Sequence, residues 1–432
     1  MVEHLQVVEE ALARFHHGDL VGALRCIGTI AEHHPANPAV LFFNAMVAYH
    51  THEKRPAQAL ALAQRLLEEA AVRCRRTEVY SNLGLVYRHQ GQHGNALRAQ
   101  VLSLEVQPTV LANVEAGICA AALGRHDLAA PYFRAALAMA PESNDAILAQ
   151  SGAHFCLGNH AEAYRLHEIR LDMPLLKLLP TMGAAWTRWD GTTTVPVLFF
   201  SEQGYGDTVQ MLRYLPRLQQ LLPRVGVVVR TALAPLVSAQ FPGVEVVAEG
   251  DDWPVGYQHY ASLFSLVHLV GFPPPAEPIL PRARRVAISW RGSPSHRNTV
   301  NRDCPLLYWD PLLTLPGVEW VVVGVDGREA ELGELPVVPT VLSGITDWEA
   351  TRHALERVDA VVSVDTSLAH LAGAMGIPTA VLLSADPDHR WGLHGSTTPW
   401  YPTWHLCRQP MVHDWPAAMA HAVDWLLPRV AA

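Results

Sequence analysis

Val361-Val-Ser-Val-Asp-Thr-Ser-Leu-Ala-His-Leu-Ala-Gly-Ala-Met-Gly-Ile-Pro-Thr-Ala-Val-Leu-Leu-Ser384 decides the fold class of this chain. It opens with an uncharged β-branched run, Val361, Val362 and Val364, the pattern of a strand buried in a parallel sheet. Asp365-Thr-Ser367 follows at once, as the N-terminal cap of a helix. The spacing predicts a helix over residues 368–375, stopped by Gly376 and Pro378. A second buried strand is expected over 379–383. The stretch is therefore one βαβ unit, with its turn at the carboxyl end of the sheet, where open α/β folds bind ligands. Free amides and the positive end of the helix dipole suit a phosphate or diphosphate there, and Thr366 and Ser367 add hydroxyl donors. An ordinary capped helix with no ligand explains the segment equally well.

The rest of the chain bounds the problem. Its 432 residues suffice for two or three domains, and half of them are apolar, so a sizeable core can be buried. A net charge of −9 argues against nucleic acid as a main partner. The cysteines, Cys26, Cys74, Cys119, Cys156, Cys304 and Cys407, are scattered and form no C-x-x-C pair. Reduced thiols in the cytoplasm are expected, rather than zinc or a disulfide framework. No signal peptide and no membrane-spanning run are expected.

Residues 1–171 are rich in Ala, Leu, Glu, Arg and Gln, with apolar residues at helical spacing. Tyr80, Leu83, Gly84, Tyr87, Gly91, Ala96 and Pro108 recur one unit later as Asn113, Ala116, Gly117, Ala120, Gly124, Ala129 and Pro141. This resembles the tetratricopeptide repeat, two antiparallel helices per unit. Gly84 and Ala96 would let paired helices approach, Gly91 would make the turn, and the proline would end the second helix. Four or five units are expected, with an extra turn around residues 50–56. Such an array offers a groove for a peptide or protein, or else a scaffold or dimer contact without one.

Residues 172–194 break the helical pattern with proline, glycine and a threonine run, as a junction packed by Trp186 and Trp189. A buried strand over 195–200 then runs into Ser201-Glu-Gln-Gly-Tyr-Gly-Asp-Thr208 and a helix over 209–222. Gly204 and Gly206 would let backbone come near a ligand. Asp207 is either a cap for that helix or a general base at the mouth of a cleft. A proline-rich linker over 273–281 closes the first lobe, 195–281. The second lobe, 282–432, begins with a strand over 285–290. That strand leads into a polar basic loop in which Arg291, His296, Arg297 and Arg302 are candidate phosphate partners; the alternative is a solvated loop. After the opening βαβ unit, residues 386–402 are dense in aromatic and polar groups. They would stack a base or sugar, or form a tryptophan-packed structural lid.

Ser201-Glu-Gln-Gly-Tyr-Gly-Asp-Thr-Val-Gln-Met-Leu-Arg-Tyr-Leu-Pro216 resembles the first-strand signature of glycosyltransferase family nine, which includes the ADP-heptose:lipopolysaccharide heptosyltransferases. Trp290-Arg-Gly-Ser-Pro-Ser-His-Arg-Asn298, Val364-Asp-Thr-Ser-Leu-Ala-His-Leu-Ala-Gly373 and Ser396-Thr-Thr-Pro-Trp-Tyr-Pro402 belong to the same pattern. The whole layout looks like bacterial tetratricopeptide-repeat proteins carrying such a domain. The resemblance implies an α-solenoid followed by a GT-B fold, two Rossmann-like lobes with the site between them. It implies an inverting, metal-independent glycosyltransferase with no cofactor beyond a nucleotide-sugar co-substrate, in keeping with the lack of a D-x-D pair in a suitable place. Asp207 aligns with the catalytic base of the family, and Asp365, Thr366, Ser367 and His370 with its donor-diphosphate region. The family lysine after the first strand of the second lobe is missing; Arg302, or His296 and Arg297, would stand in for it, so ADP-heptose is not assumed. Three functions follow as expectations. One is transfer of a sugar to a protein held by the repeats. The others are a non-catalytic adaptor with a nucleotide-binding or relic domain, and a transferase for small or lipid-linked acceptors in which the repeats serve assembly.

Overall fold

A computed structural model describes residues 2–50, 56–156, 158–173, 186–272, 283–293, 299–323, 329–333 and 335–431. The chain forms two compact units, Met1–Ala153 and His154–Ala432.

The first unit is a helical-repeat array of tetratricopeptide type. Its helices pair as α1 (Val2–His16) with α2 (Leu20–His33), α3 (Pro38–His50) with α4 (Pro56–Arg73), α5 (Thr77–His89) with α6 (His93–Val106), and α7 (Val110–Ala122) with α8 (His126–Met139). The expected extra turn falls partly on residues 51–55, outside the described residues. Pro108 and Pro141 follow the ends of α6 and α8, as the repeat requires. Small residues set the pairing distance: a Cβ at Gly84 would lie 2.4 Å from Gln100 Nε2, and one at Gly117 2.3 Å from Phe133 Cε1. Gly91, at φ +73°, makes the turn between α5 and α6 in the left-handed region that glycine enters without strain. Polar ties join successive pairs. Arg88 on α5 holds the buried Glu115 of α7 at 2.7 Å, and Tyr87 donates to Glu68 of α4 at 2.6 Å. The helix α9 (Asn144–Cys156) carries the boundary between the units.

The second unit begins earlier than the composition suggested. Residues 154–171 look helical in sequence, yet α10 (His160–His167) puts Tyr164 against Phe264 and Trp400, and Arg170 reaches Glu202 at 2.5 Å. These residues belong to the core of the α/β unit. The first sheet is built by β1 (Thr187–Arg188), β2 (Val197–Phe200), β3 (Val225–Val229), β4 (Glu245–Ala248) and β5 (His259–Ser262), in the order β1-β5-β2-β3-β4. So β1 lies in the stretch expected to be a junction and forms the edge of this sheet. Trp189 just after it is buried against Phe199. Residues 174–185 and the expected linker over 273–281 lie outside the described residues. The helices of this lobe are α11 (Tyr205–Met211), α12 (Leu215–Leu221), α13 (Ala234–Gln240) and α14 (Leu266–Val270).

The second sheet comprises β6 (Arg285–Ser289), β7 (Glu319–Val323), β8 (Thr340–Leu342), β9 (Ala360–Val364), β10 (Thr379–Leu383) and β11 (Trp404–Arg408). Its helices are α15 (Thr299–Arg302), α16 (Asp310–Leu313), α17 (Glu329–Leu332), α18 (Trp348–Leu355), α19 (Ser367–Ala374) and α20 (Trp415–Ala431). The order β11-β10-β9-β6-β7-β8 is fully parallel. Numbered from β6, that is 3-2-1-4-5-6, the doubly wound order whose switch point lies between β6 and β9. The β9 residues alternate between two cores. Val361 enters the one shared with Phe199 and Val227 of the first sheet, and Val362 and Val364 the one shared with Trp425 of α20. Residues 361–364 are therefore apolar without a break except for Ser363, because both faces are covered.

Close helix pairing gives a stability contrast. Gly117→Ala should destabilise the array by about 1–3 kcal/mol through overpacking against Phe133. Gly94→Ala, where an added Cβ meets nothing within 4 Å, should be neutral or stabilising by up to about 1 kcal/mol. Urea denaturation followed by far-ultraviolet circular dichroism compares the two.

Candidate functional site

Four strand-end segments of the second unit converge on one cavity of about 990 Å³. They follow β2, β6, β9 and β10. Gln203 to Asp207 come from the first, Trp290 to Ser293 from the second, Asp365 to Leu368 from the third, and Ser384, Asp386 and Asp388 from the fourth. The cavity thus sits at the switch point of the second sheet, where β6 and β9 chains part in opposite directions.

The turn after β9 is a cap with open donors. Thr366 Oγ1 accepts the Ala369 amide at 3.4 Å and pairs with Ser363 Oγ at 2.8 Å. The amides of Ser367 and Leu368, first in α19, have no acceptor within the helix and lie at its positive end. Arg302 of α15 donates to the Asp365 carbonyl, which brings a cation beside those amides. Arg291 also lines the cavity and pairs with Glu331 at 3.1 Å.

Asp365 and His370 face inward. The Asp365 carboxylate accepts Trp391 Nε1–H at 2.9 Å and stands 3.7 Å from His370 Nε2. Burial raises its pKa, against the pull of Arg302. His370 Nδ1 meets the Tyr401 hydroxyl at 2.9 Å. Burial, then Arg390, holds this imidazole well below its usual range, so it is neutral. A neutral, 3% exposed histidine offers a diphosphate no charge; it lines the cavity and packs α19 against Gly206 of α11.

The turn after β2 also differs from the expectation. Gly206 does not open room for a ligand alone, since a Cβ there would lie 2.7 Å from His370 Cδ2. Its missing side chain lets α11 press against α19. The left-handed residue of the turn is Gln203, at φ 66°, rather than Gly204. Asp207 lies in the first turn of α11, and its Oδ2 accepts the Gly204 amide at 2.8 Å. Its Oδ1 is ion-paired with Arg390 from the second lobe. Asp207 and the 365–367 turn thus come from separate lobes and line the same cavity.

Arg390 was not singled out from the sequence. It is 7% exposed, donates to Gln210 Oε1 at 3.0 Å and pairs with Asp388 at 2.7 Å as well as with Asp207. Burial opposes its charge, but Asp207 and Asp388 outweigh that and hold its pKa well above the ordinary value. Asp386 and Asp388 are a D-x-D pair on the cavity wall, contrary to the expectation that none is suitably placed. Its spacing directly after a buried strand was the available signal. Asp388 is committed to Arg390, and burial followed by Asp388 pushes Asp386 up to about 7. Among the described residues no group of three or more His, Cys, Asp or Glu is arranged to hold a metal ion. Trp391, Trp400, Tyr401 and Trp404 are all buried, with Tyr401 and Trp404 stacked at 4.4 Å, so the aromatics of residues 386–402 are packing rather than an open platform. His296 and Arg297 lie outside the described residues.

The chain matches no protein-family model. It is 26% identical over 295 residues to Protein FlbA of Caulobacter vibrioides, a match covering 57% of this chain and 49% of that protein. The chain thus spans about half the length of the curated relative it matches. Among solved structures it is similar to YrrB, described as a TPR protein with an unusual peptide-binding site, at 18% identity and TM-score 0.31, covering 40% of this chain and 88% of that one. PilF of Pseudomonas aeruginosa gives 14% identity and TM-score 0.32, covering 39% and 74%. MamA gives 18% and 0.30, covering 38% and 92%. Values of this size do not establish a shared function.

Two outcomes check the site. Arg390→Met leaves two half-buried carboxylates without their cation and should cost up to about 3–5 kcal/mol, read as a lowered thermal midpoint. Asp386 holds in the folded chain a proton that its unfolded carboxyl, with a pKa of about 3.9, has lost. Its contribution to stability is therefore full below about pH 4 and is lost as pH rises through about 7. Asp386→Asn should flatten the thermal midpoint across that window.

Proposed function

We propose that the chain is a glycosyltransferase of GT-B type, moving a sugar from a nucleoside diphosphate sugar to an acceptor hydroxyl with inversion and without a metal. The observation that carries this reading is the cavity at the shared carboxyl ends of two parallel sheets, with a helix N-terminus and arginines on its walls. The Ser367 and Leu368 amides, with Arg302 and Arg291, suit the donor diphosphate, whose negative charge grows as the sugar leaves. Positioning and charge stabilisation then supply the catalysis. In the orientation implied by the family resemblance, the first lobe holds the acceptor and Asp207 takes its proton. The helical array suits a peptide segment of a protein acceptor.

A second reading has its own support. Both Asp207 oxygens are already engaged, by Gly204 and by Arg390, which favours an adaptor that binds nucleotide without turnover. One experiment separates them. The full chain is titrated with UDP, GDP and ADP, then assayed for diphosphate release from UDP-glucose, GDP-mannose and ADP-glucose. Saturable binding with release supports the transferase; binding without release to water or to any protein acceptor supports the adaptor. Arg302→Met should weaken the bound nucleotide about tenfold, roughly 1.4 kcal/mol. Full turnover in Asp207→Asn would remove the base role from Asp207.

A further inference from the structure

The turn that carries Asp207 holds a strained residue. Gln203, at φ 66°, sits in the left-handed region that glycine enters freely and other side chains rarely adopt. Such a conformation persists only where the surroundings hold it. Here the turn is gripped on both sides. Glu202, just before Gln203, is buried, and its carboxylate takes Arg170 Nη2 at 2.5 Å, Arg170 Nε at 3.1 Å and the Ser262 hydroxyl. Arg170 is buried as well. Its Nη1 donates to the His167 carbonyl at 3.0 Å and to Glu168 at 2.8 Å, and its Nη2 to Ser265 Oγ at 3.1 Å. A planar fork meets that set of acceptors in one orientation, which a lysine cannot reproduce. On the other side, Arg230 donates to the Gln203 carbonyl at 2.7 Å while its guanidinium lies over the Tyr205 ring at 4.9 Å. The next amide, that of Gly204, is the one that Asp207 Oδ2 accepts.

Resting on the glycosyl-transfer reading, we propose that Arg170 is a positioning residue of the reaction. Through Glu202 it keeps Gln203 left-handed, and that turn sets where Gly204 and Asp207 stand in the cavity. Arg170 and Glu202 are not part of the cavity wall, so they act on the reaction only through the turn. The grip comes from residues 168–172, ahead of the first strand of the unit. The floor of the cavity is thus held by a segment that the α/β strands do not include.

The test compares the full chain with Arg170→Lys, Glu202→Gln and Arg170→Lys/Gln203→Gly. The first keeps the charge and loses the fork; the second keeps the shape and loses the charge. Amide hydrogen exchange, read by mass spectrometry, should quicken about tenfold over residues 203–207 in both single variants, with β3 unchanged. Adding Gln203→Gly to Arg170→Lys should restore slow exchange there, because glycine holds the turn without strain. In diphosphate release from UDP-glucose, GDP-mannose and ADP-glucose, Arg170→Lys should lose up to about 10²-fold in kcat with the donor KM unchanged. The added Gln203→Gly should recover part of that loss. Unchanged exchange at 203–207 in the single variants overturns the proposal. So does a rise spread evenly over the whole second unit, which is what a residue that only fills the core would give, or a loss that Gln203→Gly does not reverse. If wild type releases no diphosphate from any donor, the transfer reading fails, and exchange alone decides whether Arg170 holds the turn.

Discussion

A buried cation ties the two lobes of the second unit together. Arg390 is surrounded by side chains and would be costly to desolvate alone. Asp388 from its own segment and Asp207 from the other lobe neutralise it, and Gln210 takes a further donor. Because one carboxylate comes from each lobe, the pair fixes how α11 and the segment after β10 meet. The cavity walls on either side inherit that geometry. The same interaction holds one Asp207 oxygen on the guanidinium while the Gly204 amide holds the other.

Close packing reinforces the ion pair from behind. Gly206 brings α11 onto His370, and His370 is locked by Tyr401 and by rings of Trp391 and Trp404. Asp365 completes this wall by accepting the Trp391 indole. The result is a packed aromatic side behind a polar side, where amides, arginines and carboxyls face the cavity. Asp365 and His370 line the cavity and also hold the shape of the turn.

The helical array follows a different logic. Its specificity comes from where side chains are absent. Gly84 and Gly117 allow contact that no larger residue permits, and the buried Arg88–Glu115 pair ties one helix pair to the next. The array uses polar pairs between repeats and small residues within them, whereas the α/β unit buries Arg390 with Asp207 and Asp388, and Arg170 with Glu202.

Local pattern was enough for much of this. The valines of β9, the Thr366 cap, the stop at Gly376 and the strand–turn–helix character of residues 197–211 are all set by neighbours in sequence, so periodicity and capping chemistry expose them. The repeat was legible because its glycines and prolines return at a fixed spacing. Contacts between distant residues were not legible. Helical periodicity is the same in a repeat and in a core-packing helix, so residues 154–171 could be assigned to the α/β unit only once Tyr164 and Arg170 were seen in its core. A carboxylate at a helix start looks alike whether it caps, catalyses or pairs with an arginine 183 positions away. Which of these Asp207 does, which way Asp365 points and that Arg390 is charged in the interior depend on burial and on partners from other elements, and those exist only in the folded chain.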